Sequence, residues 1–141
     1  MPRVSQHWPI ADPRLGGISF QLVSISANLP DSNQTYSTAV LLGGMIDRTI
    51  TAARTDTLPT AAALVEACQG VMQGHSFDFY IRNKAGGAFL LTLAVGAGGT
   101  IDTGSTVTVS QNNTRTFRIV FTNTTLGSEA YVLHSLGQCT T

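Results

Sequence analysis

Lysine occurs once in this sequence, as Lys84. Charge of either sign is scarce. Charged residues make up 11% of the 141 positions, against about 25% in an average soluble domain. Eight basic and eight acidic residues cancel. A nucleic-acid binder needs a basic stripe to neutralise phosphates, and the sequence has none. Arg115 and Arg118 lie close together without further basic neighbours, and read as two solvated strand residues. A free monomer usually keeps soluble through mixed charge and a net charge away from zero. Here either Ser, Thr, Asn and Gln supply the solubility, or much of the surface is buried in an oligomer.

Cysteine is equally sparse. Cys68 falls in an apolar helical stretch and Cys139 near the C-terminal end, so both are expected as reduced thiols rather than a disulfide. CxxC is absent, and His7, His75 and His134 stand far apart without HxH or HExxH context, which argues against zinc. No cofactor is expected. No stretch reaches the ~18 apolar residues of a membrane span. The opening "MPRVSQHWPIADPRLGG" has no apolar run behind Arg3, unlike a signal peptide. The sequons at Asn33, Asn112 and Asn123 therefore read as Asn/Thr turn chemistry.

Catalytic patterns are missing too. The best hydrolase arrangement would take His134 as base, Ser128 or Ser135 as nucleophile and Asp102 or Glu129 as acid, but no GxSxG elbow supports it. Asp78, Asp102 and Glu129 lie on separate segments, so a glycosidase-type carboxylate pair has no support either. The clusters Gly86–Gly87 and Gly96–Ala97–Gly98–Gly99 lack the following helix and the Lys-Ser/Thr of a phosphate loop. They read as turns. The expectation is a protein that is not an enzyme.

What is present is strand-forming sequence. Hydrophobic residues make up 43% of the chain, which is long enough to bury a core as one domain. Residues 1–17 stand apart as an extended N-terminal arm. Pro2, Pro9, Pro13, Gly16 and Gly17 forbid a regular helix or central strand, while Val4, Trp8, Ile10 and Leu15 give the arm apolar grip. These four are the candidate protein-interface residues. The arm either docks on a partner or packs on its own domain, residues 18–141.

Within that domain "ISFQLVSIS", "YSTAVLL" and "RTITAAR" read as strands, the second broken by Gly43–Gly44, with "NLPDSNQ" as a loop. Residues 60–69 read as the one helix. It is alanine-rich, follows Pro59, is capped by Thr57 or Thr60 and stops at Gly70, with Leu64, Val65 and Cys68 as its apolar stripe. Alternation then returns. Phe77, Phe79 and Ile81 share a face, as do Phe89, Leu91, Leu93 and Val95, then Val107 and Val109, then Phe117, Ile119 and Phe121. "AYVLHSLG" closes the series. Short strands at regular turn signals predict a mainly β fold, a β-sandwich with one short helix lying as a lid over one open end.

The segment Thr55–Gly137 resembles a domain of tailed-bacteriophage virion proteins, and is most similar to head decoration (cement) proteins. The resemblance is carried by "TDTLPTAAALVEA", "GHSFDFYIRN", "LTLAVGAGGTI", "TVTVSQNNTRTFRIVFTN" and "GSEAYVLHSLG". It implies a jelly-roll-like β-domain, often trimeric, on the outer surface of a capsid after synthesis in the host cytoplasm. The implied partners are the major capsid protein and other copies of the chain, with no nucleic acid and no membrane. It carries over no binding residue. A second reading stays open, a tail-fibre or receptor-binding module for a cell-surface glycan. Such a module should gather aromatics in a groove, whereas Trp8, Tyr36, Tyr80 and Tyr131 are scattered.

Overall fold

Alternating side chains set the architecture. The computed structural model describes residues 24–25 and 29–141, so the arm at 1–17, with Val4, Trp8, Ile10 and Leu15, lies outside the described residues. The elements in chain order are β1 (Ser24–Ile25), α1 (Thr38–Leu42), β2 (Gly44–Arg48), β3 (Arg54–Thr57), α2 (Ala61–Ala67), β4 (Ser76–Asn83), β5 (Leu91–Ala94), β6 (Gly99–Ile101), β7 (Thr108–Val109), β8 (Asn113–Asn123) and β9 (Ala130–Thr140). They form a mainly β fold of two sheets. One has the order β1-β2-β4-β8-β9-β6, the other β3-β5-β7. This is compatible with a β-sandwich. A jelly roll pairs its strands antiparallel. Here β1–β2, β2–β4, β3–β5 and β6–β9 are parallel.

The core lies between the sheets, with the helices closing it. Phe79 and Ile81 of β4, Phe117, Ile119 and Phe121 of β8, and Tyr131 and Leu133 of β9 face Leu91, Leu93 and Val109 of the smaller sheet in one buried cluster. Each such side chain contributes roughly 1.5–3 kcal/mol when fully buried. Phe79 and Phe117 stack at 5.5 Å between ring centroids. Asn83 ties the layers together: its amide donates to the Phe89 and Val109 carbonyls, both at 2.9 Å, and its oxygen accepts from Ala85 N.

α2 forms inside the expected 60–69 span. Thr60 is its cap, with Oγ1 accepting from Ala63 N at 3.2 Å. Leu64 is buried, and Val65 and Cys68 pack against the core.

Of the expected strand "ISFQLVSIS" only Ser24–Ile25 fall within the described residues, and between residues 36 and 54 the structure departs from the sequence reading. "YSTAVLL" is not a strand: Thr38–Leu42 is the helix α1. Ser37 is extended and its Oγ accepts from Val40 N at 3.2 Å, a local hydrogen bond that starts a helix despite strand-prone neighbours. Leu41 is then fully buried. Gly44, at φ 93, turns the chain into β2, which the sequence reading missed. "RTITAAR" is not a strand either. Arg48 ends β2, Arg54 begins β3, and the residues between connect the two sheets.

The glycine run Gly96–Gly99 is more than a turn. A Cβ at Gly96 would stand 2.5 Å from the Leu58 carbonyl oxygen and 2.6 Å from that of Pro59. One at Gly99 would enter the Tyr131 ring. The run passes this close because Tyr131 Oη accepts from Gly96 N and donates to the Pro59 carbonyl, both at 3.1 Å.

Candidate interaction surfaces

Most of the described charges pair within the chain. Across the outer face of the large sheet, Asp47 accepts from Arg82 Nε and Nη2 at 2.8 and 2.5 Å, and Asp78 accepts from Arg118 Nε and Nη2 at 2.6 and 2.9 Å. Cross-strand register makes these pairs: Asp47 faces Arg82 and Asp78 faces Arg118. The Arg82 guanidinium holds the Asp47 carboxyl below its usual range. Asp31 sits under Arg54 and Thr51, and these hydrogen bonds, the Arg54 one foremost, lower it to about 2.

Arg48 and Asp56 form a pair that is wholly buried. Arg48 Nε donates to Asp56 Oδ2 at 2.7 Å, and its remaining nitrogens reach Asp56 Oδ1 and the Leu29, Pro30 and Ser32 carbonyls. Tyr36 Oη donates to Asp56 Oδ2 at 2.6 Å and Gln34 N to Oδ1 at 2.9 Å. Burial first, and the Asp56 charge second, push the Tyr36 hydroxyl far above the phenol range. Every partner of this network belongs to the same fold, so it clasps the 29–34 loop rather than offering a site. The one available signal was parity. Ile46, Arg48 and Ile50 alternate and are all buried.

Of the hydrolase residues the structure brings one base and one acid together, and Ser135 lines the same depression as that acid, Asp102. His134 Nδ1 lies 3.4 Å from Asp102 Oδ2. Ser135 follows His134 on a strand, where successive side chains point to opposite faces. Its Oγ accepts from Arg115 Nη1 at 2.8 Å. Glu129 accepts from Gly127 N in the β8–β9 turn. Asp78 is engaged by Arg118. Among the described residues, no group of three His, Cys, Asp or Glu gathers for a metal ion, and no helix is long and apolar enough to cross a membrane.

The described residues also line surface depressions, of which three bear on function. The first is apolar, about 410 Å³, lined by Leu42, Cys68, Val71, Phe77 and Phe121. β1 enters beside it. Ser24 N donates to the Gly43 carbonyl at 2.7 Å, one residue from Leu42. Met72, next in sequence to Val71 of the lining, is exposed at 61%, and Ile25 of β1 at 58%. Burial raises the Cys68 thiol above its usual value.

The second depression is polar, also about 410 Å³, and contains Arg115, Ser105, Ser135 and Leu136. Here the sequence reading needs correction. Arg118 is a solvated strand residue, but Arg115 is half-buried. Its Nε donates to the Thr108 carbonyl at 2.8 Å, and its other nitrogens to Ser135 and Gln138. A β-bulge creates the place: Thr116 pairs with Gly137 but Phe117 with Ser135, leaving Leu136 extra and 48% exposed. The third depression, about 310 Å³, lies between α2 and the β8–β9 turn and includes Val65, Glu66, Leu126 and Glu129.

Cys139 lies in β9 opposite Thr114, not in a tail, and both cysteines are free. Two of the sequons behave as turn chemistry. Asn123 accepts from Thr125 N and Asn112 adopts φ 56, whereas Asn33 accepts from the distant Thr55 N and so tethers its loop to β3 instead of closing a turn. Compared with protein-family models, with curated proteins and with solved structures, the chain matches none of them.

Proposed function

We propose that the protein is a structural component of a bacteriophage virion, a decoration (cement) protein that binds the outside of the capsid as a trimer and reinforces the shell. Its partners in this reading are the major capsid protein and its own copies. The sequence support is the resemblance over Thr55–Gly137. The observation that carries it is the apolar groove at Leu42, Val71, Phe77 and Phe121, placed beside β1. Few ions need to lose water when such a surface is covered. The groove alone is smaller than a lasting interface of roughly 1,000 Å² or more, so a further apolar segment must contribute. The arm holds Trp8, Ile10 and Leu15 between prolines. Tryptophan is enriched at interface hot spots, and prolines limit the entropy lost on docking. The jelly-roll likeness and the extended arm belong to this proposal and rest on the sequence.

Mass spectrometry of purified virions, with heads and tails separated, tests the reading. The chain is expected in the head fraction at a copy number comparable to the capsid lattice. Recovery in tails, in a few copies, would transfer it to the receptor-binding reading.

A further inference from the structure

The polar depression between the 102–106 loop and β9 holds charges of both signs. Arg115 and Asp102 line it together, with Ser105, Thr106, Ser135 and Leu136. Among the described residues these two charges do not pair with each other. Asp102 Oδ2 stands 3.4 Å from His134 Nδ1, and no described group donates to its Oδ1. Arg115 donates only to neutral oxygens, those of Thr108, Ser135 and Gln138. A guanidinium carries five N–H groups. Three are used here, so one on Nη1 and one on Nη2 are left. Arg48, Arg54, Arg82 and Arg118 differ, each having a carboxylate within 2.9 Å.

Hydrogen bonds fix the rim of this depression. Asp102 N donates to the Leu133 carbonyl at 2.9 Å, and Ser105 N to the Asp102 carbonyl at 3.0 Å. Ser135 N donates to Ser105 Oγ at 3.0 Å. These bonds hold the loop against β9, and a site held this way loses little freedom on binding. The bulge takes Leu136 out of the strand pairing and leaves it 48% exposed at the rim. Bulges recur where a strand re-aims a side chain beside a site. The volume, about 410 Å³, falls within the roughly 300–1,000 Å³ of small-molecule sites.

We propose that this depression binds a small zwitterion, an α-amino acid whose carboxylate lies against Arg115, whose ammonium lies against Asp102 and whose apolar side chain meets Leu136. Asp102 repels a ligand that is only anionic, and Arg115 one that is only cationic. A zwitterion satisfies both. A carboxylate accepts from two guanidinium N–H groups side by side, and the unused donors on Nη1 and Nη2 supply them. Burial without a counter-ion weighs on Arg115, lowering its pKa. A bound carboxylate offsets that cost. This inference goes beyond the cement reading and is independent of it.

Calorimetric titration of the purified full chain with leucine tests it. Binding is expected with a dissociation constant below about 1 mM. N-acetyl-leucine keeps only the carboxylate charge, and leucine methyl ester only the ammonium. Each is expected to bind at least about tenfold more weakly, through loss of one charge-assisted contact. The protein is unaltered in these arms, so misfolding plays no part in them. Asp102→Asn, at a position open to solvent, is expected to weaken leucine at least about tenfold and to leave N-acetyl-leucine nearly unchanged. A chain that takes up no leucine at millimolar concentration, analogues that bind as leucine does, or an Asp102→Asn chain with the wild-type affinity for leucine overturns the proposal. Virion mass spectrometry does not depend on these results, so a failed pocket and a failed cement reading are told apart.

Discussion

At the scale of single residues, the buried Arg48–Asp56 pair has the highest stakes. Asp56→Ala strands a guanidinium with 0% exposure. Removing one partner of such a pair costs about 3–5 kcal/mol, so the midpoint of denaturant unfolding is expected to fall steeply. Replacing both, as Arg48→Met with Asp56→Leu, is expected to cost less than Asp56→Ala alone. The surface pairs predict a pH response. Asp31, lowered from 3.8 to about 2 by Arg54 and Thr51, and Asp47, lowered by Arg82, have depressed folded-state values. Their contribution is present above the unfolded value. It is lost as pH falls through the folded value. Thermal melts should therefore lose stability between pH 4 and pH 2. For the thiols, exposed Cys139 should react with a disulfide reagent well before Cys68, which is partly buried and has a raised pKa. Residues such as Phe117, Ile119 and Phe121 were legible because alternation alone places them. Arg48, Asp56 and Arg115 were not, because a charged residue at a core-facing parity declares itself only when its partner, distant in sequence, is seen.

At the scale of elements, local chemistry competes with propensity. The helix at Ala61–Ala67 was legible because cap, alanine run and apolar stripe agree. α1 was not: one serine hydrogen bond and the burial of Leu41 override residues that otherwise favour strands. Thr60→Ala should cost about 1 kcal/mol of unfolding free energy through the lost cap. The glycines separate by contact. At Gly96 a methyl group meets two backbone carbonyls below 3.0 Å, and Gly96→Ala should cost at least about 1–3 kcal/mol. At Gly86 it meets nothing within 4 Å, and Gly86→Ala should stay within about 0.5 kcal/mol of the wild type. The sequence shows both as glycine clusters between strands. The difference lies in what Tyr131 brings alongside.

At the scale of the molecule, the arm is the open quantity. Deleting residues 2–15 should leave the melting transition of the β fold nearly unchanged and abolish capsid binding or trimerisation. A truncated chain that still coats shells at full occupancy would separate the arm from the function. A fall in melting temperature of many degrees would instead mean that Trp8 covers its own protomer. The place of β9 in the large sheet has a consequence for how this protein comes into being. β6 is made before β8 but pairs with β9, and β8 pairs with β9 on its other side. On the ribosome, β4 and β8 can zip together while β6 waits without its neighbour. The sheet is complete only after residues 130–140 have emerged, so β6 and the far edge of β8 stay unpaired until the end of synthesis. Edges of that kind recruit other chains. In the proposed trimer, assembly between copies is then best deferred to the moment β9 locks in, the same step that builds the polar depression at Arg115.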